Sequence, residues 1–162
     1  MSKLNKTKNN DLPEHTREAM VDLLNARLAD TMDLFNQTKQ AHWNIKGPSF
    51  IALHELLDSV AEHFEEYSDT IAERCVILGG VAQGTTQSIG KNTSIAEFPA
   101  DLQAQNPVID TLSTHVADYG AKLRKAINAA DEAGDKDTAD LFTEVSRVID
   151  KDLWFLEAHL YG

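Results

Sequence analysis

Three breaks of unequal length constrain this chain more than its composition does. Along four long stretches, apolar residues recur at spacings of three and four, the period of an amphipathic helix. The link at Gly47-Pro48 is tight and so is the one near Gly134, whereas the stretch between them, Val81 to Asn106, is long and carries no sustained period. Tight links make neighbouring helices antiparallel, so two helical hairpins joined by one crossover are expected. No stretch alternates apolar and polar residues as a strand does. The fold class that follows is all-α, a four-helix bundle with a long crossover between helices two and three.

The first helix is read as capped by Asp11, started by Pro13 and carried by Leu23, Leu24, Leu28, Met32, Leu34 and Phe35 to about His42. The second opens after Gly47-Pro48, carries Leu53, Leu57, Val60, Phe64 and Ile71, and closes at Gly79-Gly80. Gly84, Gly90 and Pro99 leave room in the crossover for one helical turn, placed near Ile95 to Phe98. The third helix starts at Asn106-Pro107 and ends near Gly134; the fourth runs from about Lys136 to Tyr161.

At 162 residues, 42% of them hydrophobic, the chain can bury one core. Residues 11–162 are assigned to the bundle and residues 1–10, polar and lysine-containing, to a flexible tail. No apolar run approaches the ~18 residues of a spanning helix, and Met1 to Asn10 lacks the apolar core of a signal peptide. A cytoplasmic protein with no membrane partner is expected. Cys75 is the only cysteine, which excludes a thiolate metal site and an internal disulfide. With 26 acidic against 15 basic residues, the net charge of −11 attracts cations and opposes contact with phosphate backbones.

The residues that carry chemistry lie on and just before helix two. At about 100° per residue His54, Asp58, Asp69 and Glu73 share one helix face. Asp58 and Asp69 are nevertheless about 16 Å apart along the axis, too far for one metal centre. A two-fold axis between His63 and Phe64 resolves this. Residues whose numbers sum to 127 then lie opposite each other, so His54 faces the partner's Glu73 and Asp58 faces the partner's Asp69. His42, at the end of helix one, is placed to add a second imidazole. Mixed nitrogen and oxygen ligands with room for water suit Fe(II). The ordinary alternative, a solvated acidic face with structural histidines, accounts poorly for five ligand-type residues on one computed surface.

The segments His42-Trp43-Asn44-Ile45-Lys46-Gly47-Pro48, His54-Glu55-Leu56-Leu57-Asp58, Asp69-Thr70-Ile71-Ala72-Glu73-Arg74 and Leu78-Gly79-Gly80 resemble the Dps family of miniature ferritins. The likeness extends from about Asp11 to Leu153-Trp154-Phe155-Leu156-Glu157. It implies a ferritin-like bundle assembled as a hollow dodecamer that oxidises Fe(II), preferably with hydrogen peroxide, and stores ferric mineral. The family's ferroxidase ligands correspond to His42, His54, Asp58, Asp69 and Glu73, held in two-fold-related sites between subunits. Trp43, next to a ligand, is expected to pack around the centre or at the interface.

Four further groups are singled out. Glu62 and Glu65 also sum to 127 and are candidates for an accessory cation site, against a bland role as rim glutamates paired with Lys or Arg. Asp131, Asp137 and Asp140, with Asp135 beside them, are candidates for an iron entrance pore, as the family resemblance implies, against a role in complementing a helix dipole. Lys3, Lys6 and Lys8 precede the first acidic residue and are candidates for non-specific DNA contact, multiplied over many tails. The alternative function is therefore a nucleoid architectural protein that shields DNA by coating it. His63 falls about 130° from the centre of the ligand face and His15, His115 and His159 lack ligand-spaced partners, so none of the four is expected to bind metal.

Overall fold

A computed structural model describes Leu4, Asn5, Thr7 and Asn10 to Tyr161. Five helices follow one another: α1 (Glu14–Asn44), α2 (Phe50–Ile77), α3 (Thr86–Asn92), α4 (Gln105–Glu132) and α5 (Lys136–Glu157). No strand occurs among the described residues; one isolated bridge pairs Lys46 with Ala104. α1 packs along α2 and α4 along α5, and the two hairpins meet through α1 against α4 and α2 against α5. This is the one-crossover bundle expected from the link lengths.

Two glycines end helices, one at the start of the crossover and one in the second hairpin. Gly79 (φ 92°) and Gly134 (φ 82°) follow the ends of α2 and α4 in the left-handed region that other residues avoid. The next amide closes each end: Gly80 donates to the Cys75 carbonyl and Asp135 to the Ala130 carbonyl, both at 3.0 Å. One core runs the length of the bundle, with Leu24, Leu34, Phe64, Tyr119 and Phe142 at its centre. Two groups of buried polar side chains inside it satisfy each other. Thr31 and Tyr119 share a 2.6 Å hydrogen bond, and Asp30 accepts from the Ser94 amide at 2.7 Å while pairing with Arg27 at 2.8 Å.

Several boundaries differ from the sequence reading. Pro13, not Asp11, takes the cap position of α1, and its carbonyl accepts the Arg17 amide at 3.0 Å. The helical turn of the crossover is α3, earlier than Ile95 to Phe98. Its start is fixed by Thr85, whose hydroxyl accepts the Ser88 amide, and its single buried side chain is Ile89. Ile95 and Phe98 are buried anchors of an irregular stretch instead. α4 begins at Gln105, so Pro107 lies in its first turn, where its missing N–H costs nothing. α5 ends at Glu157, four residues short of Tyr161.

Candidate metal centre

The short link Ile45 to Ser49 sets the end of α1 beside the start of α2, and the two histidines lock onto each other across it. His42 Nδ1 lies 2.7 Å from the His54 carbonyl oxygen, and His54 Nδ1 lies 3.0 Å from the His42 carbonyl oxygen. A carbonyl can only accept, so both Nδ1 atoms carry the proton and donate. In the neutral form of each ring this tautomer puts the lone pair on Nε2, the atom a metal would take. The rings stack with centroids 3.7 Å apart and planes inclined by 19°, and Phe50 lies 5.2 Å beyond His54. His42 is buried, which fixes its orientation further.

Asp58, one turn after His54, completes the group. Its Oδ1 is 3.8 Å from His42 Nε2 and 2.6 Å from Lys39 Nζ. The hydrogen bond from Lys39 pulls the Asp58 carboxyl below the ordinary aspartate value of 3.8, outweighing the opposing effect of desolvation. Lys39 was not singled out in the sequence. Its signal was the spacing of three to His42, which stacks the two side chains on one face of α1.

Asp69 and Glu73 lie three to four turns further along α2. Both are exposed, and neither has a hydrogen bond or ion pair among the described residues. One chain thus sets His42 against His54 and Asp58 3.8 Å from His42, and leaves Asp69 and Glu73 apart, as the helix rise requires. Among the described residues no three His, Cys, Asp or Glu side chains of one chain are gathered closely enough to hold a metal ion. The donor set of two imidazole lone pairs and a carboxylate fits a borderline divalent ion such as Fe(II).

The exposed face of α2 is apolar at both ends. Phe50 and Ile51 are 40% and 61% exposed, and Val76 and Ile77 are 57% and 56% exposed. At the second end, Ala72, Glu73, Val76, Ile77 and Ala82 line a groove. Between the ends stand Glu62 and Glu65, both exposed, and no Lys or Arg among the described residues pairs with either. Trp43 is 67% exposed in the single chain, so it does not pack around the ligands there.

The other singled-out groups fall elsewhere. Asp135 is buried, caps α5 through the Thr138 amide at 3.0 Å, and receives Arg74 Nη2 at 2.7 Å. Asp137 is 3.7 Å from Arg74 Nη1, Asp131 pairs with Lys136, and Asp140 is exposed without a partner among the described residues. His63 binds the buried Asp152 at 2.9 Å, His115 binds Gln37 at 2.8 Å, and His159 binds the Phe155 carbonyl at 2.8 Å. None of the three joins the centre. Lys3, Lys6 and Lys8 lie outside the described residues; near them, the Asn5 amide donates to the Gly79 carbonyl at 2.6 Å. No described helix is long and apolar enough to cross a membrane.

Comparison with known proteins agrees with the helical bundle. The ferritin-like domain family matches residues 21–161. The DNA protection during starvation protein of Agrobacterium fabrum is 48% identical, over 98% of this chain and 97% of its own. Its counterpart in Brevibacillus brevis is 33% identical over 85% and 92%. Among solved structures, Dps from Microbacterium arborescens in its high iron form superposes with a TM-score of 0.85 at 34% identity, covering 99% of this chain and all of that one (100%). An archaeal Dps homologue from Halobacterium salinarum gives 0.93 at 28% identity, covering 99% and 89%. The chain belongs to the Dps family of ferritin-like proteins.

Proposed function

We propose that this protein is a ferroxidase and iron store whose catalytic unit is a two-fold dimer within a hollow dodecameric shell. The observation that carries the reading is the reciprocal His42–His54 lock, which leaves both Nε2 lone pairs free next to Asp58. Each centre takes His42, His54 and Asp58 from one subunit and Asp69 and Glu73 of the partner subunit. The exposed apolar residues support the same axis independently: 50 and 77 sum to 127, and so do 51 and 76. Phe50 and Ile51 would be covered by Ile77 and Val76 of the partner, removing four exposed large side chains from water in each subunit.

Fe(II) is the substrate. Two Fe(II) ions each lose one electron, and one hydrogen peroxide takes both as its O–O bond breaks. With two waters this yields two ferric oxyhydroxide units and releases four protons, and no hydroxyl radical escapes. The imidazoles and carboxylates hold the ions, and the net charge of −11 favours cation arrival. Asp131, Asp137 and Asp140 would line the iron entrance, and Glu62 with Glu65 would form a feeder toward the centre. Removing Fe(II) and peroxide together is a chemical way to protect DNA.

Peroxide-driven Fe(II) oxidation in a His42→Ala, Asp58→Ala double variant tests the reading. Loss of oxidation with the assembly intact supports it; retention rejects it. The name shared by the Agrobacterium and Brevibacillus relatives favours a second reading, direct DNA binding through Lys3, Lys6 and Lys8. A gel shift at several salt concentrations, with and without residues 1–10, checks it; salt-insensitive or tail-independent binding would exclude the tail lysines.

A further inference from the structure

The half-site holds a cation of its own. Lys39 leaves α1 one turn before His42, so both side chains overlook the first turns of α2. The oxygen that Lys39 Nζ approaches at 2.6 Å is Asp58 Oδ1, the same atom that stands 3.8 Å from His42 Nε2. Imidazole and ammonium therefore converge on one carboxylate oxygen. An ion taken by His42 Nε2 and Asp58 Oδ1 needs that oxygen. An ammonium left in contact with it would face two like charges at close range, where screening is incomplete. The lysine stem is long and flexible, so the ammonium can leave as the ion arrives. Among the described residues no cation stands in the same way over Asp69 or Glu73.

We propose that Lys39 determines the metal selectivity of the centre, acting as a built-in counter-cation that holds Asp58 beside His42 and competes with the incoming ion for Asp58 Oδ1. The proposal rests on the reading of His42, His54 and Asp58 as metal ligands. Its consequence is a threshold. An ion must bind strongly enough to displace the ammonium. Fe(II) and Zn(II) recover the cost through the two imidazole nitrogens. Mg(II) prefers oxygen and its own water and gains little from nitrogen ligands. An uncompensated Asp58 would instead accept any divalent cation.

Calorimetric titration of the metal-free assembled protein with Zn(II), which does not change oxidation state, tests this. Lys39→Gln and Lys39→Met keep the stem and remove the charge. Both are expected to bind Zn(II) about fivefold more tightly than wild type or better. Excess Mg(II) should weaken Zn(II) binding in the variants and leave wild type unchanged. Circular dichroism and sedimentation confirm that the variants fold and assemble, and Asp58→Asn reports on the centre itself. Unchanged or weaker Zn(II) affinity in both folded variants overturns the proposal alone, provided Asp58→Asn loses binding. Equal Mg(II) sensitivity in wild type overturns the selectivity. Wild type that binds no Zn(II), with Asp58→Asn indistinguishable from it, overturns the centre and the proposal with it.

Discussion

The two halves of α2 carry the same kind of residue in very different settings. In the N-terminal half, His54 is locked to His42 through backbone carbonyls and stacking, and Asp58 is held by Lys39. In the C-terminal half, Asp69 and Glu73 stand exposed and without partners among the described residues. One half is preorganised and the other contributes negative charge. A pre-set imidazole pair costs little ordering on binding, whereas two free carboxylates repel each other until a cation arrives. The difference is intelligible if the halves meet across a dimer axis, because each is then incomplete without the other.

The largest effect expected is from destroying that meeting while leaving every ligand in place. Ile51→Asp with Val76→Asp places charges at both ends of the exposed apolar face. Sedimentation should show that the two-fold dimer no longer forms, and Fe(II) oxidation should fall to the uncatalysed rate. A dissociated variant that still oxidises iron would contradict the division into halves. A sharper form mixes two dead chains. One carries His42→Ala and Asp58→Ala, the other Asp69→Asn and Glu73→Gln. Random pairing on co-expression makes half the dimers mixed, each with one intact centre of two, so roughly a quarter of wild-type activity should return. No recovery would place all five residues in one chain's site.

The sequence made these halves visible before any coordinates because helical geometry is arithmetic. A rise of about 1.5 Å per residue separates Asp58 from Asp69 regardless of packing, and the sum of 127 needs only an axis. Side chains reaching in from another helix escaped that arithmetic. Lys39 lies on α1, and angles measured around α2 contain no information about it. The crossover escapes it for a similar reason. Ile95 and Phe98 look like a helical face, yet they anchor irregular chain, while α3 rests on a threonine cap and one buried isoleucine. Asp135 was grouped with the pore aspartates because charge spacing cannot tell a buried carboxylate from an exposed one.

Asp135 matters for how the barer half of α2 is held. Arg74, next to Glu73, donates to Asp135 at 2.7 Å and to the Thr138 hydroxyl at 3.0 Å, tying this half to the start of α5. Arg74→Ala leaves a buried carboxylate without its counter-charge, a loss of about 3 kcal/mol, though the Thr138 amide and hydroxyl still bind Asp135. Denaturant midpoints measure it. The same variant should weaken Zn(II) binding more than a Lys136→Ala control, whose partner Asp131 is exposed. Equal effects of the two would mean that the position of Glu73 does not depend on this tie.

The smallest effect lies where the halves join. His63 sits beside the midpoint of α2 and reaches Asp152 of α5 at 2.9 Å. Burial raises the Asp152 carboxyl above its ordinary 3.8, with the His63 hydrogen bond opposing. The folded protein thus holds this proton more tightly than the unfolded chain does. That contribution is complete below about 3.8 and is lost as pH rises through the raised folded value. Asp152→Asn has no proton to lose, so its denaturant midpoint should gain on wild type as pH climbs through this window. A stability difference that stays constant across the window would mean that the tie between α2 and α5 does not titrate. Fe(II) oxidation should follow the variant's stability only weakly, since His63 faces away from the centre and toward α5.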